Sequence, residues 1–425
     1  MAATQTSDLD GLFKEVYADK MENLIPENSH LQKDVKFIEK TKQTGKTYNQ
    51  PVILTQEQGV TLAAADAGAF DLNESVPMTT KNATVLGYQV LLRGQLDYES
   101  AARSMGNTRA FMEATALQVE NMYESMSKRI DILGIYGQSG LVVSSGTTSI
   151  GAGSTTFEAT AASWAIGIWS GSEKMKVDAF DGTTKLNTVG DLVVSNIDFE
   201  NRQFTLTGDS SDITAIDDTG GVGVGAGVTL YYKGGYDGSA FSEMPGLNTI
   251  ITNTTTLFGI NAGTYRLWKG NSYSAGSADL TIDKVLRGLN LPVGLGLMEN
   301  ACLYVSVPTW QNLSTEITGN RVYDTSYKTQ ENSNGTQSIK YYSQNGMIEV
   351  KSNPCVKEGE AFLFPKSRAK RIGSTDITFK TPGRGDEIFR QLENKAGFEY
   401  RCYTDQSMFI ETPARCLKFT NIVNS

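Results

Sequence analysis

Histidine is almost absent from this chain, because His30 is the only one among 425 residues. Ser-His-Asp triads, Cys-His pairs, two-histidine zinc sites and most proton shuttles place an imidazole beside a second specific group. His30 follows Pro26 in a polar run, which is typical of an exposed turn or a helix start. Nearly all histidine-based chemistry is therefore excluded.

Cysteine and proline are also scarce, at 4 and 10 residues. The cysteines are too few and too scattered for a disulfide scaffold or paired zinc knuckles, so reduced and mostly buried thiols are expected. They are Cys302, Cys355, Cys402 and Cys416. No run approaches the ~18 apolar residues of a membrane helix, and the first ten residues lack the pattern of a signal peptide. These absences predict a soluble protein without a membrane span, made in a cytoplasm.

Positive charge is in deficit, with 38 basic against 47 acidic residues. A net charge of −9 argues against a general nucleic-acid-binding protein, whose surface would bind phosphate backbones through positive charge. Glycine is abundant instead, at 42 residues, which predicts many turns and favours a β-rich chain.

Motifs for phosphate and metal binding are incomplete. Gly45-Lys46-Thr47 resembles the end of a P-loop, but Lys40 occupies the position of the required glycine. The glycine-rich string at 220–227 lacks the P-loop lysine and a following helix, so a flexible turn is favoured. Two acidic groups lack the calcium-loop spacing, which favours turn capping and solvated loops. They are Asp178/Asp181 and Asp209/Asp212/Asp217/Asp218.

Carbohydrate chemistry also has no positive signal. Any two of the 47 acidic residues could in principle form a glycosidase pair, but no spacing singles one out. Tryptophans could form a sugar platform, although two of them, five residues apart, are better interpreted as core anchors. The four are Trp164, Trp169, Trp268 and Trp310. We therefore predict no enzyme, and no catalytic, cofactor-binding or metal residue.

Hydrophobic periodicity predicts three helical segments in the first third of the chain. An amphipathic helix is expected at 7–24 and a short helical piece at 31–40. The clearest helix spans 107–133, and glycines should end it. Those glycines are Gly134, Gly137 and Gly140. Within it, Met122 lies on the apolar stripe and Glu120 lies off it.

Between the helical piece at 31–40 and the long helix at 107–133, the sequence pattern is that of extended strands. Strands are predicted at 51–55 and 84–92, joined by about thirty residues with too few large apolar groups for a core. A connection of this length in a compact protein is usually functional.

Residues 141–245 differ from their surroundings. They hold 16 of the 42 glycines, and 13 acidic against 5 basic residues give −8 of the net −9. The segment around Glu200-Asn201 reads as a hairpin. We interpret 141–245 as an inserted acidic β domain.

Residues 246–425 have a mixed pattern that predicts an α+β region. Helices are expected at 280–289, 308–317 and 389–395. Asn345-Gly346 predicts a hairpin across 339–350. Further strands are expected at 302–307, 361–365, 376–379, 398–404 and 408–412.

The order of these parts, and four stretches of sequence, resemble the major capsid proteins of tailed bacteriophages, which have the Hong Kong 97 fold. The stretches are KTYNQPVILTQEQGVTL at 46–62, LFGINAGTYRLWKGN at 257–271, DTSYK at 324–328 and RIGSTDITFKTPG at 371–383. The resemblance covers roughly 1–140 and 246–425 and weakens across 141–245. It implies an α+β capsid fold with an N-arm, an E-loop, a long spine helix, peripheral and axial domains, and an inserted β domain.

The resemblance also implies a division of the chain and a function. The parts would be the N-arm 1–45, the E-loop 46–100, the peripheral domain with its spine helix 101–140, the insertion 141–245, the axial domain 246–365, and returning peripheral strands 366–425. Hexamers and pentamers would form an icosahedral shell around double-stranded DNA, with a separate scaffolding protein, a portal and a possible decoration protein, in the virion after assembly in the host cytoplasm. Some relatives crosslink subunits through a lysine and an asparagine, and Lys81 is the only lysine between Pro51 and Arg93. No matching acceptor and acidic catalyst can be identified in the sequence, so crosslinking through Lys81 is disfavoured.

Two alternatives remain open at this point. An encapsulin-type compartment would share the fold but enclose protein cargo, and such chains are typically shorter. A surface β-rich binding protein is disfavoured by the missing signal peptide and by the long helix.

Overall fold

A computed structural model describes most of the chain. The described residues are 30–42, 45–99, 114–217, 224–319, 339–344, 346–380, 388–393 and 395–424. The predicted helix at 7–24, the start of the helix at 107–133, Asp218 and the stretch at 324–328 lie outside them. The chain divides into a smaller unit and a larger unit. The smaller comprises 1–26, 91–126 and 379–402, and the larger comprises 27–90, 127–378 and 403–425. The six-part division given above stays a prediction.

The helices in the described part of the chain are mostly short, with one exception of 23 residues. They are α1 (His30–Asp34), α2 (Ala114–Tyr136), α3 (Ile166–Trp169), α4 (Ser210–Ile216), α5 (Leu247–Thr252), α6 (Ile282–Gly294) and α7 (Val307–Gly319). Short 3-10 turns occur at Lys40–Lys42, Ala161–Ser163, Arg266–Trp268, Lys366–Arg368 and Pro413–Arg415. Only the first part of the helical piece expected at 31–40 is therefore an α-helix.

Helix α2 is the long helix that the periodicity predicts. Met122 is 7% exposed and Glu120 is exposed, so the assignment of the two faces is confirmed. The helix continues past Gly134 to Tyr136 and ends directly before Gly137, another of the three glycines expected to end it. A Cβ on Gly134 would lie 2.3 Å from Leu31 Cδ2, so this glycine permits close packing of α1 against α2.

Three strands follow α1. They are β1 (Tyr48–Thr55), β2 (Thr79–Val85) and β3 (Tyr88–Asp97). Strands β1 and β2 pair antiparallel from Tyr48↔Val85 to Thr55↔Thr79, so they are the two sides of one long ribbon. The strand expected at 84–92 is wrong in its bounds, because β2 ends at Val85 and β3 begins at Tyr88.

Strands 4 to 10 form a sheet that closes on itself. They are β4 (Val142–Gly151), β5 (Ser154–Ala159), β6 (Lys176–Asp181), β7 (Thr184–Lys185), β8 (Leu192–Asp198), β9 (Gln203–Thr207) and β10 (Thr229–Tyr232). The order β10-β4-β5-β9-β8-β6 returns to β10 through a further antiparallel pairing of β6 with β10. We call this closed ring the barrel. The hairpin expected around Glu200-Asn201 is confirmed as β8 and β9.

The next strands form a two-stranded sheet and most of a six-stranded mixed sheet. They are β11 (Thr256–Leu257), β12 (Ile260–Asn261), β13 (Asn271–Ala278), β14 (Ala301–Val305), β15 (Ile339–Ser343), β16 (Gly346–Ser352) and β17 (Ala361–Pro365). Strands β11 and β12 pair with each other, and the sheet order is β13-β21-β17-β14-β16-β15, where β21 is Leu417–Ile422. The hairpin of β15 and β16 confirms the prediction at 339–350. Apolar side chains of α6 and α7, including Val285, Leu289 and Leu313, pack in the core of this sheet.

The remaining strands are β18 (Ala369–Thr378), β19 (Phe389–Gln391) and β20 (Gly397–Ile410). The helix expected at 389–395 is wrong, because 389–391 pairs with 398–400 as a strand. The two strands expected at 398–404 and 408–412 are a single strand, β20. The first error has a physical cause: FRQLENK has good helix formers, but the neighbouring strand supplies hydrogen bonds that override this local preference.

Candidate assembly surface

The base of the ribbon is anchored by an apolar cluster. One face of β1 and β2 packs on β12, β18, β20 and Trp268. The buried members are Leu54, Ala83, Val85, Ile260, Ala262, Trp268, Ile372 and Phe409. The amide of Thr84 also donates to Phe258 O at 2.9 Å. The direction in which the ribbon leaves this core is therefore set at its base.

The ribbon continues beyond the paired strands as residues 56–78, which we call the ribbon tip. Its two sides remain joined, because Gln58 N donates to Val76 O at 3.0 Å and Asn73 Nδ2 donates to Val60 O at 2.9 Å. Asn73 N also donates to Thr61 Oγ1 at 2.8 Å. The connection that the sequence left as a long loop is thus an ordered two-sided extension.

The ribbon tip exposes large apolar side chains. Leu62 is 89% exposed and Leu72 is 81% exposed. The others are Val60, Phe70, Val76 and Met78. Single exposed apolar residues are ordinary, but a run of them on one projecting element is typical of a contact surface.

The ribbon tip is also acidic. It contains Glu57, Asp66, Asp71 and Glu74 and no lysine or arginine. A surface that received this element would have to combine apolar groups with positive charge. The sequence analysis had noted only that this segment has too few apolar groups for a core. The missed signal was the placement of its leucines and phenylalanine between acidic residues.

Lys81 lies on β2 at the base of the ribbon. Its Nζ is 5.2 Å from the centre of the Tyr265 ring, which is a cation–π contact. Nothing in the structure tests crosslinking through Lys81, which the sequence disfavours.

The barrel differs from the ribbon because aromatic side chains of its own segment are buried against one another. Trp164 and Trp169 are fully buried and stacked at 6.3 Å, and Trp169 stacks on Phe204 at 4.4 Å. The expectation that these two tryptophans anchor the insertion is confirmed. Trp268 belongs to the ribbon base and Trp310 packs on the six-stranded sheet, so the four tryptophans form no common platform.

Acidic residues of the barrel cap turns, as the sequence predicts. Asp212 is 1% exposed and accepts hydrogen bonds from the amides of Thr188, Val189 and Gly190 at 2.9, 3.0 and 2.7 Å. Asp209 caps α4 by accepting from Ser211 N at 2.9 Å.

Asp178 is also satisfied locally, by Asn187, the amide of Gly234 and Lys185. Burial acts to raise its pKa, but these hydrogen bonds and the lysine charge lower the pKa overall. Asp181 ends β6, and Asp217 accepts from Thr147 Oγ1 at 3.2 Å. The structure therefore gives these acids local roles in the barrel.

The other sequence candidates also have ordinary surroundings. His30 lies in α1, is the first described residue of the chain and is partly buried. Gly45-Lys46-Thr47 precedes strand β1 directly. The four cysteines are free thiols and buried, as expected, and burial raises the pKa of Cys302 and Cys355 to about 12. In the string 220–227, only 224–227 is described, and Gly225 and Gly227 have positive φ, which fits a turn.

Among the described residues, no group of three histidine, cysteine, aspartate or glutamate side chains could hold a metal ion. Within the same residues, no helix is both long and apolar enough to cross a membrane.

Comparisons with known proteins give no sequence match and clear structural ones. No family model matches the chain, and no curated protein does. The capsid asymmetric unit of cyanophage A-1(L) superimposes with a TM-score of 0.54 at 11% identity, covering 99% of both chains. The capsid of a native GTA particle gives 0.53 at 6% identity, covering 100% of both. The holo-SrpI encapsulin complex of Synechococcus elongatus gives 0.47 at 8% identity, covering 100% of this chain and 98% of the other.

Structural matches that span whole chains at 6–11% sequence identity show a shared fold and nothing finer. They confirm the mixed helix and sheet class that the sequence predicted. The chain has the fold of phage capsid shell proteins.

Proposed function

We propose that this chain is a major capsid protein that self-assembles into an icosahedral shell around phage double-stranded DNA. One observation carries the proposal: a chain with a capsid fold projects an anchored ribbon whose tip exposes apolar side chains and has no core of its own. Such a surface becomes stable by burial against another molecule, and in a shell that molecule is another copy of the same chain.

In this proposal the ribbon tip lies over a neighbouring subunit, as the E-loop does in the fold that the sequence resembles. The rigid base would set the direction of the tip, so each copy would offer the same surface to its neighbour. Copies would combine into hexamers and pentamers. The role is structural rather than catalytic, because assembly requires shared contacts and no reacting groups.

The barrel would lie on the outer face of the shell. Most of its basic residues are already paired within the chain, because Lys176 and Lys233 share Asp191, Lys185 pairs with Asp178, and Arg202 pairs with Glu358. The remaining surface charge of the barrel is therefore mainly negative, which would keep shells apart in solution. A decoration protein would bind on this side. A scaffolding protein, a portal and the DNA would contact other surfaces of the shell.

Expression of the full chain in bacteria, with and without candidate scaffolding proteins, tests the proposal. Size-exclusion chromatography and electron microscopy should show closed particles containing hexamers and pentamers. A soluble, folded chain that stays monomeric under every condition would refute it.

The contents of infectious or native particles then separate two kinds of shell. Double-stranded DNA inside the particle supports a virion capsid. A single enzyme inside it, without DNA, would instead assign the chain to a protein compartment.

A further inference from the structure

The six-stranded sheet carries a buried lysine on one of its inner strands. Lys418 lies on β21, which is hydrogen-bonded to β17 on one side and to β13 on the other. Lys418 pairs with Phe362 of β17 and is 7% exposed. Its Nζ lies 5.7 Å from the centre of the Phe362 ring, which is fully buried. The backbone of Lys418 is therefore fixed, and its side chain is largely removed from water.

The Lys418 amine contacts two other side chains at once. Nζ donates to Asn248 Oδ1 at 2.7 Å and to Glu360 Oε1 at 2.6 Å. The amide carbon Cγ of Asn248 is bonded directly to Oδ1, so it lies at most one bond length further from Nζ. An amine, an amide carbon and a carboxylate from three distant parts of the chain thus meet at one place.

Regular elements hold both partners of Lys418. Asn248 lies in α5, whose apolar side chains are buried. Glu360 directly precedes β17 and stands two residues before Phe362, so alternation along the strand puts these two side chains on the same side of the sheet. Groups that are already held at contact distance react with a much smaller loss of entropy than free groups do.

A second buried lysine adds positive charge to the same region. Lys357 Nζ donates to Gly140 O at 2.6 Å and lies 4.3 Å from the centre of the Tyr136 ring. It interacts electrostatically with both Glu360 and Lys418, and burial lowers the pKa of Lys357 to about 8. Two ammonium groups near one carboxylate leave an excess of buried positive charge, and the loss of one proton removes that excess.

Two other lysine contacts differ from this one at the atom that an amine would attack. Lys351 Nζ lies 2.7 Å from Asp34 Oδ1, and Lys370 is paired with Glu411. The side chains of these lysines are 31% and 40% exposed. Their partners are carboxylates, whose negative charge opposes attack by a nucleophile, whereas the amide of Asn248 is neutral. Burial and an amide partner occur together at Lys418.

We propose that Lys418 and Asn248 become joined by an isopeptide bond within one subunit, with Glu360 as the proton-transfer residue. Glu360 accepts one proton from the Lys418 ammonium, and the neutral Nζ then attacks Cγ of Asn248. The new C–N bond forms and the Cγ–Nδ2 bond breaks. Glu360 gives its proton to Nδ2, which leaves as ammonia, and accepts the second proton that Nζ loses. The reaction changes no oxidation state and consumes no other reactant.

The bond would tie β21 covalently to α5. A covalent link between distant residues restricts the unfolded chain, as a disulfide does, and so favours the folded state. Buried surroundings also keep water away from the reacting carbon. This inference concerns the single chain and does not depend on shell formation.

Mass spectrometry of the purified full-length chain tests the proposal. Under denaturing conditions, the intact mass should be lower than the mass of the sequence by one ammonia molecule. A protease digest should contain a branched peptide that joins Asn248 to Lys418, and trypsin should not cut after Lys418. The full sequence mass together with a free Lys418 would overturn the proposal, and the three side chains would then form an ordinary buried ion pair.

The same digest separates two other reactions. A succinimide at Asn345-Gly346 also releases ammonia, but it leaves a linear peptide and a free Lys418. A bond from Lys418 to another subunit would give multimers under denaturing conditions, whereas a bond within one chain leaves a monomer. Either of these results, without the branched peptide in a monomer, would overturn the proposal.

Three variants assign the roles of the three residues. Lys418→Arg keeps a positive charge beside Glu360 but supplies a guanidinium that stays protonated and is no nucleophile. Asn248→Ala removes the attacked carbon, and Glu360→Gln removes the proton acceptor. Each variant should have its full sequence mass. Continued loss of ammonia with a branched peptide in Glu360→Gln would remove Glu360 from the reaction.

Lys370→Arg is the matched control, because Lys370 is also paired with a glutamate but lies elsewhere in the fold. This variant should still lose one ammonia molecule and should still give the branched peptide. Loss of the bond in Lys370→Arg would show that the reaction is not specific to the surroundings of Lys418 and would overturn the assignment. If the three variants at the site do not fold, the digest of the wild-type chain decides.

Discussion

The barrel and the ribbon are both antiparallel β structures, but the barrel buries its large apolar side chains, whereas the ribbon tip exposes them to solvent. The barrel closes through the pairing of β6 with β10, and Trp164, Trp169, Phe157 and Phe204 of its segment are buried and stacked on one another. The ribbon has two strands, and only its base lies on a core. Its tip keeps its backbone hydrogen bonds but leaves Leu62 and Leu72 in solvent.

This contrast separates stability from assembly within one chain. A closed ring has no free edge and buries its own apolar surface, so it needs no partner. An isolated two-stranded hairpin is at best marginally stable in water, so an extension of this kind relies on its base and on whatever covers its tip. We therefore expect barrel substitutions to change folding, and ribbon-tip substitutions to change association.

Removal of the ribbon tip should have the largest effect. Gly59 and Ser75 face each other, since a Cβ on Gly59 would lie 3.1 Å from Ser75 Cα, so residues 60–74 can be replaced by Asn-Gly. The chain should keep its circular dichroism spectrum and its melting temperature but form no stable shells. If this variant gave the wild-type yield of particles, the ribbon would not be part of the assembly surface.

Trp169→Ala tests whether the barrel depends on its buried aromatic side chains for folding stability. Loss of a fully buried indole that stacks on Trp164 and Phe204 should lower the free energy of unfolding by about 3–5 kcal/mol. Denaturant unfolding, monitored by fluorescence and circular dichroism, measures this. A loss below about 1 kcal/mol would mean that the barrel does not depend on its aromatic interior.

Asp212→Asn should have a smaller effect on the same quantity. The variant places an amide where three backbone amides now donate to a carboxylate, so a loss of about 1.5–3 kcal/mol is expected. Asp237→Asn is the matched control, because Asp237 also accepts from backbone amides, those of Ser239 and Ala240, but is exposed. If both variants lose the same free energy, burial of Asp212 does not matter.

Leu72→Ser should have the smallest effect on folding, within about ±0.5 kcal/mol, because this side chain is 81% exposed. Its effect should appear in particle yield, measured by sedimentation of the assembled fraction. Val189→Ser is the control, because Val189 is also exposed, at 67%, but lies on the barrel. An equal fall in yield for both variants would contradict the separation of the two surfaces.

Long periodic segments and strong turn signals were predictable from the sequence. The stripe through Met122, the hairpin at Glu200-Asn201 and the hairpin across 339–350 depend on residues close together in the chain. The buried tryptophan pair was also predictable, because two large aromatics in a glycine-rich segment need a common core. The strand at 389–391 was not, since its conformation depends on pairing with β20.

Composition and local pattern were sufficient to establish that this chain lacks the histidine chemistry of most enzymes, that it is an α+β protein, and that 141–245 differs from the rest. These properties are sums over residues or contacts between near neighbours. Closure of the barrel, the anchored base of the ribbon and the burial of Asp131 beneath Leu31 and Gln32 join residues up to hundreds of positions apart. They could be read only from the folded chain, because no local pattern records which distant segments meet or which groups they remove from water.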